Sequence, residues 1–157
     1  MSTGRRRGPV TAEVEVMIAA ARVFAGITAE SLAQADAGIS LPQLRVLVLA
    51  SRSASLNATE VANALHVHLS TSSRLCDRLV QAGLLDRRDR PEDRRQLQLK
   101  LTHDGQTLLN RITEHRRKVF TRILRRLDPA DGAALAQALQ GFIEAAHDYD
   151  AGLSLVP

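Results

Sequence analysis

The chain has 157 residues and 45% hydrophobic content, which fits one folded domain with its own core and excludes a wholly disordered chain. A lone cysteine, Cys76, excludes a disulfide framework and a cysteine-based zinc site, and 3% aromatics leave no platform for stacking bases. The formal net charge is +4, and nearly all the basic residues are arginines, Lys100 and Lys118 being the exceptions.

The charge is unevenly placed. Residues 1–7 carry +3, residues 8–73 carry −2, residues 74–100 carry +3, and residues 101–157 are balanced. The excess therefore sits in an N-terminal tail and in one 27-residue window, which points to an anionic partner met at a defined place. Arginine suits such a partner because its planar fork matches phosphate and the guanine edge. No apolar stretch is expected to reach the ~18 residues of a membrane span. Arg5, Arg6 and Arg7 resemble the start of a leader, but Glu13 and Glu15 interrupt the apolar segment that a leader would need next. No signal peptide and a cytoplasmic location are the expectation.

Residues 1–9, rich in Gly and Arg, read as a disordered basic tail. From residue 10 to about 35, Val10, Val14, Met17, Ile18, Ala21, Phe24 and Ala25 recur at helical spacing until Ala37-Gly38 breaks the pattern. Ser40 caps a second helix with Pro42 in its first turn, and residues 51–56 read as a loop ending in a short extended piece. Asn57, with Glu60 three residues on, opens a third helix as a capping box; it stops near His66. A fourth helix runs from His68 or Ser70 to Ala82, with Leu75, Cys76 and Leu79 as its stripe and Gly83 beyond its end. Strands are expected at 84–87 and 96–101, the second alternating Leu97, Leu99 and Leu101 with Gln96, Gln98 and Lys100. The polar segment RDRPEDRR between them makes a hairpin with a long charged tip. Thr102 caps a long helix to about Leu127, and Asp128-Pro129 opens the last, to about Asp148.

Helix, short turn, helix and charged hairpin make a winged helix-turn-helix. The second helix of such a pair fits the major groove, and its first residues reach base edges. The candidate DNA-binding residues there are Ser70, Thr71, Ser73, Arg74 and Arg78, the two arginines lying four apart on one face. The hairpin offers Arg88, Arg90, Arg94 and Arg95 to the neighbouring minor groove, whose negative potential attracts them. Arg87 is read as serving the strand instead.

The stretch LNATEVANALHVHLSTSSRLCDRLVQAGLLDRRDRPEDRRQLQLKLTHDGQTLL resembles the MarR (multiple antibiotic resistance regulator) family, most specifically in DRLVQAGLLDRR, PEDRR and LKLTHDG at their mutual spacing. LPQLRVL upstream is similar to that family's second helix. The resemblance implies a fold that is mainly α with a small β-hairpin wing: a winged helix-turn-helix with long N- and C-terminal dimerisation helices. Residues 10–157 would form a single MarR-like domain, with 10–39 and 102–150 as dimerisation helices and 40–101 as the DNA-binding region. It implies a homodimer on a palindromic double-stranded operator, and a small-molecule effector, aromatic or phenolic in many members, in a pocket between the two regions. By position, Arg95 matches the wing arginine that enters the minor groove, and Asp93 an acid that braces the wing. Two departures stand out. Ser72 replaces a residue that is commonly apolar, which predicts looser packing of that helix. His66 replaces a glycine or asparagine, which asks a histidine to take the left-handed conformation.

Other features carry plainer expectations. Cys76 on an apolar stripe reads as a small buried hydrophobe; the family's peroxide sensors place their cysteine at the start of the first helix, where this chain has none. His66 and His68 make an HxH without further ligands, and His103 and His115 lie twelve apart, so no metal or other cofactor is expected. No catalytic constellation or phosphate loop is apparent, and no enzyme is expected. Phe24, Phe120, Phe142 and Tyr149 read as core or interface residues. The sequence reading is a ligand-responsive DNA-binding regulator, most simply a repressor. Its alternatives are a redox- or metal-sensing regulator and a winged-helix interaction module without DNA binding.

Overall fold

A computed structural model describes residues 11–36, 38–53, 56–89 and 97–149. In chain order it comprises α1 (Thr11–Gln34), α2 (Leu41–Arg52), α3 (Ala58–Leu65), α4 (Leu69–Gln81), β1 (Leu85–Asp89), β2 (Leu97–Leu101), α5 (His103–Leu124) and α6 (Pro129–Tyr149). The fold is mostly helical with a two-stranded antiparallel hairpin, a winged helix as the sequence predicts.

Local chemistry explains most boundaries. Ser40 and Gln43 close a capping box at α2: the Ser40 amide donates to Gln43 Oε1 at 2.8 Å, and the Gln43 amide returns to Ser40 Oγ at 3.4 Å. Asn57 and Glu60 repeat the arrangement at α3, both bonds at 2.9 Å. His66 ends α3 in the left-handed region (φ 53°, ψ 45°), the conformation its position demanded. Gly83 does the same after α4 with φ 70°, a geometry that costs glycine nothing. The Asp128 carboxylate accepts from the Ala130 amide at 2.9 Å at the start of α6. Three boundaries shift: β1 runs two residues past its expected end, to Asp89. Ser51 and Arg52 belong to α2, so the expected loop is shorter, and α5 passes into tight turns at Arg126 and Leu127.

The core lies between α2, α3, α4 and the first half of α5. Leu44, Val46, Leu47, Val61, Cys76, Leu79, Leu85, Leu108 and Ile112 are buried there. The hairpin registers Leu85 opposite Leu101 and Arg87 opposite Leu99. Leu56 adds a third short extended piece, its carbonyl accepting from the Leu99 amide at 2.7 Å. Leu99 thereby tucks the hairpin base into the core, and Gln98 is buried beside it.

α1 and α6 stand apart from that core. Only Ile27 and Ser31 of α1 are buried, and no described residue of α6 is. Val16, Val23 and Phe24 on α1, and Leu135, Phe142 and Ile143 on α6, are exposed. The apolar residues of α1 run around the helix instead of along one stripe. As a result, α1 contains an 18-residue window with mean hydropathy 1.5, long and apolar enough to cross a membrane. This corrects the expectation that no stretch approaches that length. Phe24 meets Phe120 of α5 edge-to-face, with ring centroids 5.9 Å apart, and Glu30 lies 3.5 Å from His115 Nε2, so α1 leans on α5 along one side.

Candidate nucleic-acid interface

The α3–turn–α4 unit is built by the His66 cap. The left-handed residue reverses the chain in two residues, and the Val67 amide returns to the Ala62 carbonyl at 3.0 Å. α4 then starts at His68, whose side chain makes no capping hydrogen bond. The first turn of α4 therefore keeps amide donors and the positive end of the helix dipole turned outward, an arrangement suited to phosphate.

Of the candidate residues on α4, Ser70, Thr71, Arg74 and Arg78 are exposed and Ser73 is half-buried. The opposite face carries Ser72, Cys76 and Leu79, all buried. An exposed polar face and a core-facing stripe thus share thirteen residues without competing.

Ser72 does not loosen the helix. Its side chain is fully buried, and its Oγ donates to the Ala58 carbonyl at 2.5 Å. The hydroxyl ties α4 to the first turn of α3, a link an apolar residue does not make. Ser72→Ala is expected to cost about 1 kcal/mol, the usual net worth of one such bond. Urea unfolding of the variant checks this; an unchanged midpoint would show that the bond adds nothing.

Cys76 lies one turn beyond Ser72. Burial pushes its thiol pKa up, against a smaller lowering by the hydrogen bond with Ser72. Burial thus favours the thiol over the thiolate that oxidant sensing uses. Among the described residues no group of three His, Cys, Asp or Glu side chains converges as a metal site.

The wing base is braced from both sides. Arg87 of β1 pairs with Asp77 of α4, and Arg88 Nε lies 2.8 Å from Asp86 Oδ2. Both pairs are solvent-accessible and worth at most about 1 kcal/mol each. Their use is geometric: Arg87 links the wing to α4, and Arg88 is held on the exposed side of β1. Arg90, Asp93, Arg94 and Arg95, and the tail arginines Arg5, Arg6 and Arg7, lie outside the described residues.

Sequence reasoning found the Thr102 cap but missed the joint it makes below the wing. Thr102 Oγ1 accepts from the Gly105 amide at 3.0 Å and donates to the Gly83 carbonyl at 2.7 Å. Gly105 presses against the Leu84 backbone: a Cβ there would overlap the Leu84 carbonyl oxygen and lie 2.7 Å from Leu101 Cδ1. The only sequence signal was the glycine in LTHDG, one position where a helix tolerates it poorly.

Comparison with known proteins agrees with this geometry. A family model described as MarR family matches residues 39–97. The crystal structure of RV1404 from Mycobacterium tuberculosis is 37% identical, with a TM-score of 0.81 over 89% of this chain and 95% of that one. The uncharacterized HTH-type transcriptional regulator YfiV of Bacillus subtilis (strain 168) is 29% identical over 101 residues, 64% of this chain and 63% of that protein. The HTH-type transcriptional repressor MdtR of the same organism is 31% identical over 87 residues, 55% of this chain and 56% of that protein. The matches thus span less than two thirds of the length of these two curated relatives.

Proposed function

The chain belongs to the MarR family, and on that premise we propose that it is a cytoplasmic, DNA-binding transcriptional regulator, a homodimeric repressor released from a palindromic operator by a small aromatic effector. The observation that carries this reading is the outward face of α4: an uncapped helix start followed by Ser70, Thr71, Arg74 and Arg78, all exposed, on a rigidly packed helix. Similarity to named regulators and a named repressor supports regulation over catalysis.

In this reading residues 40–101 read DNA, and residues 10–39 and 102–150 join two subunits. The exposed apolar side chains of α1 and α6 support that division, since a second copy would bury them. Each subunit then places Ser70, Thr71, Ser73 and Arg74 over one half-site, with half-site centres about one helical turn apart. Arg90, Arg94 and Arg95 reach the flanking minor groove, with Asp93 bracing them.

A cleft of about 300 Å3 between α2 and α5 supports an effector site. Leu44, Val48, Leu109 and Ile112 make its apolar wall, and Arg116 stands at its edge. Arg116 Nε and Nη2 are buried with no hydrogen-bond partner among the described residues, and burial lowers the guanidinium pKa. Two donors of a half-buried guanidinium are thus left for a ligand, and an acidic effector with an apolar ring fits the cleft. To release DNA, the effector must favour one spacing of the lobes; a 100-fold preference supplies about 2.7 kcal/mol.

The test is a gel shift with the DNA flanking the chain's own gene, with and without aromatic carboxylic acids. A retarded band that the acids abolish is the expected result. Absence of any band at low salt would refute the DNA-binding reading; a band indifferent to every acid would refute the effector assignment.

A further inference from the structure

We propose that Leu69 is a specificity-determining residue that reads the C5-methyl group of a thymine in the operator. The inference rests on the DNA-binding reading of α4 and adds to it an apolar contact that serine and arginine side chains do not supply and that threonine offers only through its single methyl.

Leu69 is the first residue of α4 and is 53% exposed. The other exposed large apolar side chains among the described residues lie on α1, on the end of α5 and the turn after it, and on α6, with Leu41 at the start of α2 as the exception. Those on α1 and α6 form the surface assigned above to a second subunit. Leu69 belongs to neither that surface nor the core. Along the chain it is flanked by His68, Ser70 and Thr71, all exposed and polar, while Val67 before them packs against the core.

Side chains on a helix lean toward its N-terminus. At the first position of α4 that lean carries Leu69 ahead of the helix end, into the space the groove floor occupies when the helix docks. The major-groove edges of the bases are hydrogen-bonding groups, with one apolar exception, the thymine methyl. A leucine can neither donate nor accept a hydrogen bond, so the methyl is the one feature there that it can recognise. Cytosine lacks that methyl and presents an amino group instead, which leucine would desolvate without pairing. Ser70, Thr71 and Arg74 then supply the polar contacts around it.

The experiment uses the full chain. Operators are selected from a random duplex library, and each thymine of the selected site is replaced, in both half-sites, by deoxyuridine, which lacks only the methyl. The native protein is expected to lose about tenfold in affinity at one symmetric position, from roughly three- to fourfold per buried methyl. Leu69→Ala is expected to bind the thymine operator about tenfold more weakly with the same salt slope, and to ignore deoxyuridine at that position. Its thermal melt should change little, because Leu69 is 53% exposed and stands outside the buried cluster. Full deoxyuridine sensitivity in Leu69→Ala, or none at any position in the native protein, would overturn the assignment. A library that yields no preferred sequence would instead refute the DNA-binding reading, and Leu69's role with it.

Discussion

Gly105→Ala is expected to destabilise the protein by about 3 kcal/mol, at the upper end of the usual overpacking cost. In a helix the change from glycine to alanine ordinarily gains up to about 1 kcal/mol, so the sign itself is informative. The reversal comes from the close approach of α5 to the turn after α4. A Cβ on Gly105 meets the Leu84 carbonyl oxygen, a backbone atom that cannot rotate away, and Leu101 Cδ1 on the other side. Relief requires α5 to lift, which strains the bonds from Thr102 to Gly83 and from the Thr102 amide to the Leu84 carbonyl. Gly132→Ala on α6 is the control, because a Cβ there meets nothing within 4 Å. It is expected to gain roughly 0.5–1 kcal/mol. Urea unfolding of both variants checks the pair; a Gly105→Ala protein as stable as the native one would show that the joint below the wing is loose.

Arg74→Ala is expected to lower operator affinity about 5- to 150-fold while leaving the fold intact, the span of one bidentate base contact. Arg74 is exposed on α4 and pairs with no acid among the described residues in the ion pairs seen, so its removal leaves no buried charge behind. Its loss should also relax sequence preference at one position of each half-site. Arg95→Ala, in the wing, is expected to act differently: binding weakens on operator and scrambled duplex alike, and the salt slope falls by about 1 per subunit. Anisotropy titrations at several salt concentrations on both duplexes separate these outcomes. Operator affinity unchanged by Arg74→Ala would place the groove-reading face elsewhere. Unchanged binding by Arg95→Ala would remove the wing from the interface.

Both experiments turn on contacts of different legibility. The positions of the helices could be read from short-range chemistry: Ser40 with Gln43, Asn57 with Glu60, Thr102, and Asp128 each satisfy amides within three residues of themselves. The left-handed His66 was legible through the family resemblance, since glycine or asparagine is usual at that turn and both take this conformation readily. Ser72 misled because its partner, the Ala58 carbonyl, lies fourteen residues away and belongs to another helix. A hydroxyl among apolar stripe residues reads as a packing defect until that acceptor is known. Arg87 could be set apart from the arginines proposed to meet DNA, but its partner Asp77 is ten residues distant, and no periodicity links a strand residue to a helix residue.

The hydropathy of α1 shows the converse. Its composition alone satisfies the requirement for a membrane span, and pattern alone gave it an amphipathic stripe. Neither shows which side is covered. The fold answers in part: Ile27 and Ser31 face the rest of the chain, and Val16 and Val23 face away.

The basic window between residues 74 and 100, the caps and turns, and the winged-helix order were set by the sequence by itself, because each depends on residues close along the chain. Only the tertiary structure decided that Ser72 fastens α4 to α3, that Gly105 is compelled by the Leu84 backbone, and that Leu69 is left in water beside the exposed polar face of α4. The physical reason is common to all three. Burial, steric exclusion and exposure are relations between segments far apart in the chain, and they exist only once packing has brought those segments together or kept them apart.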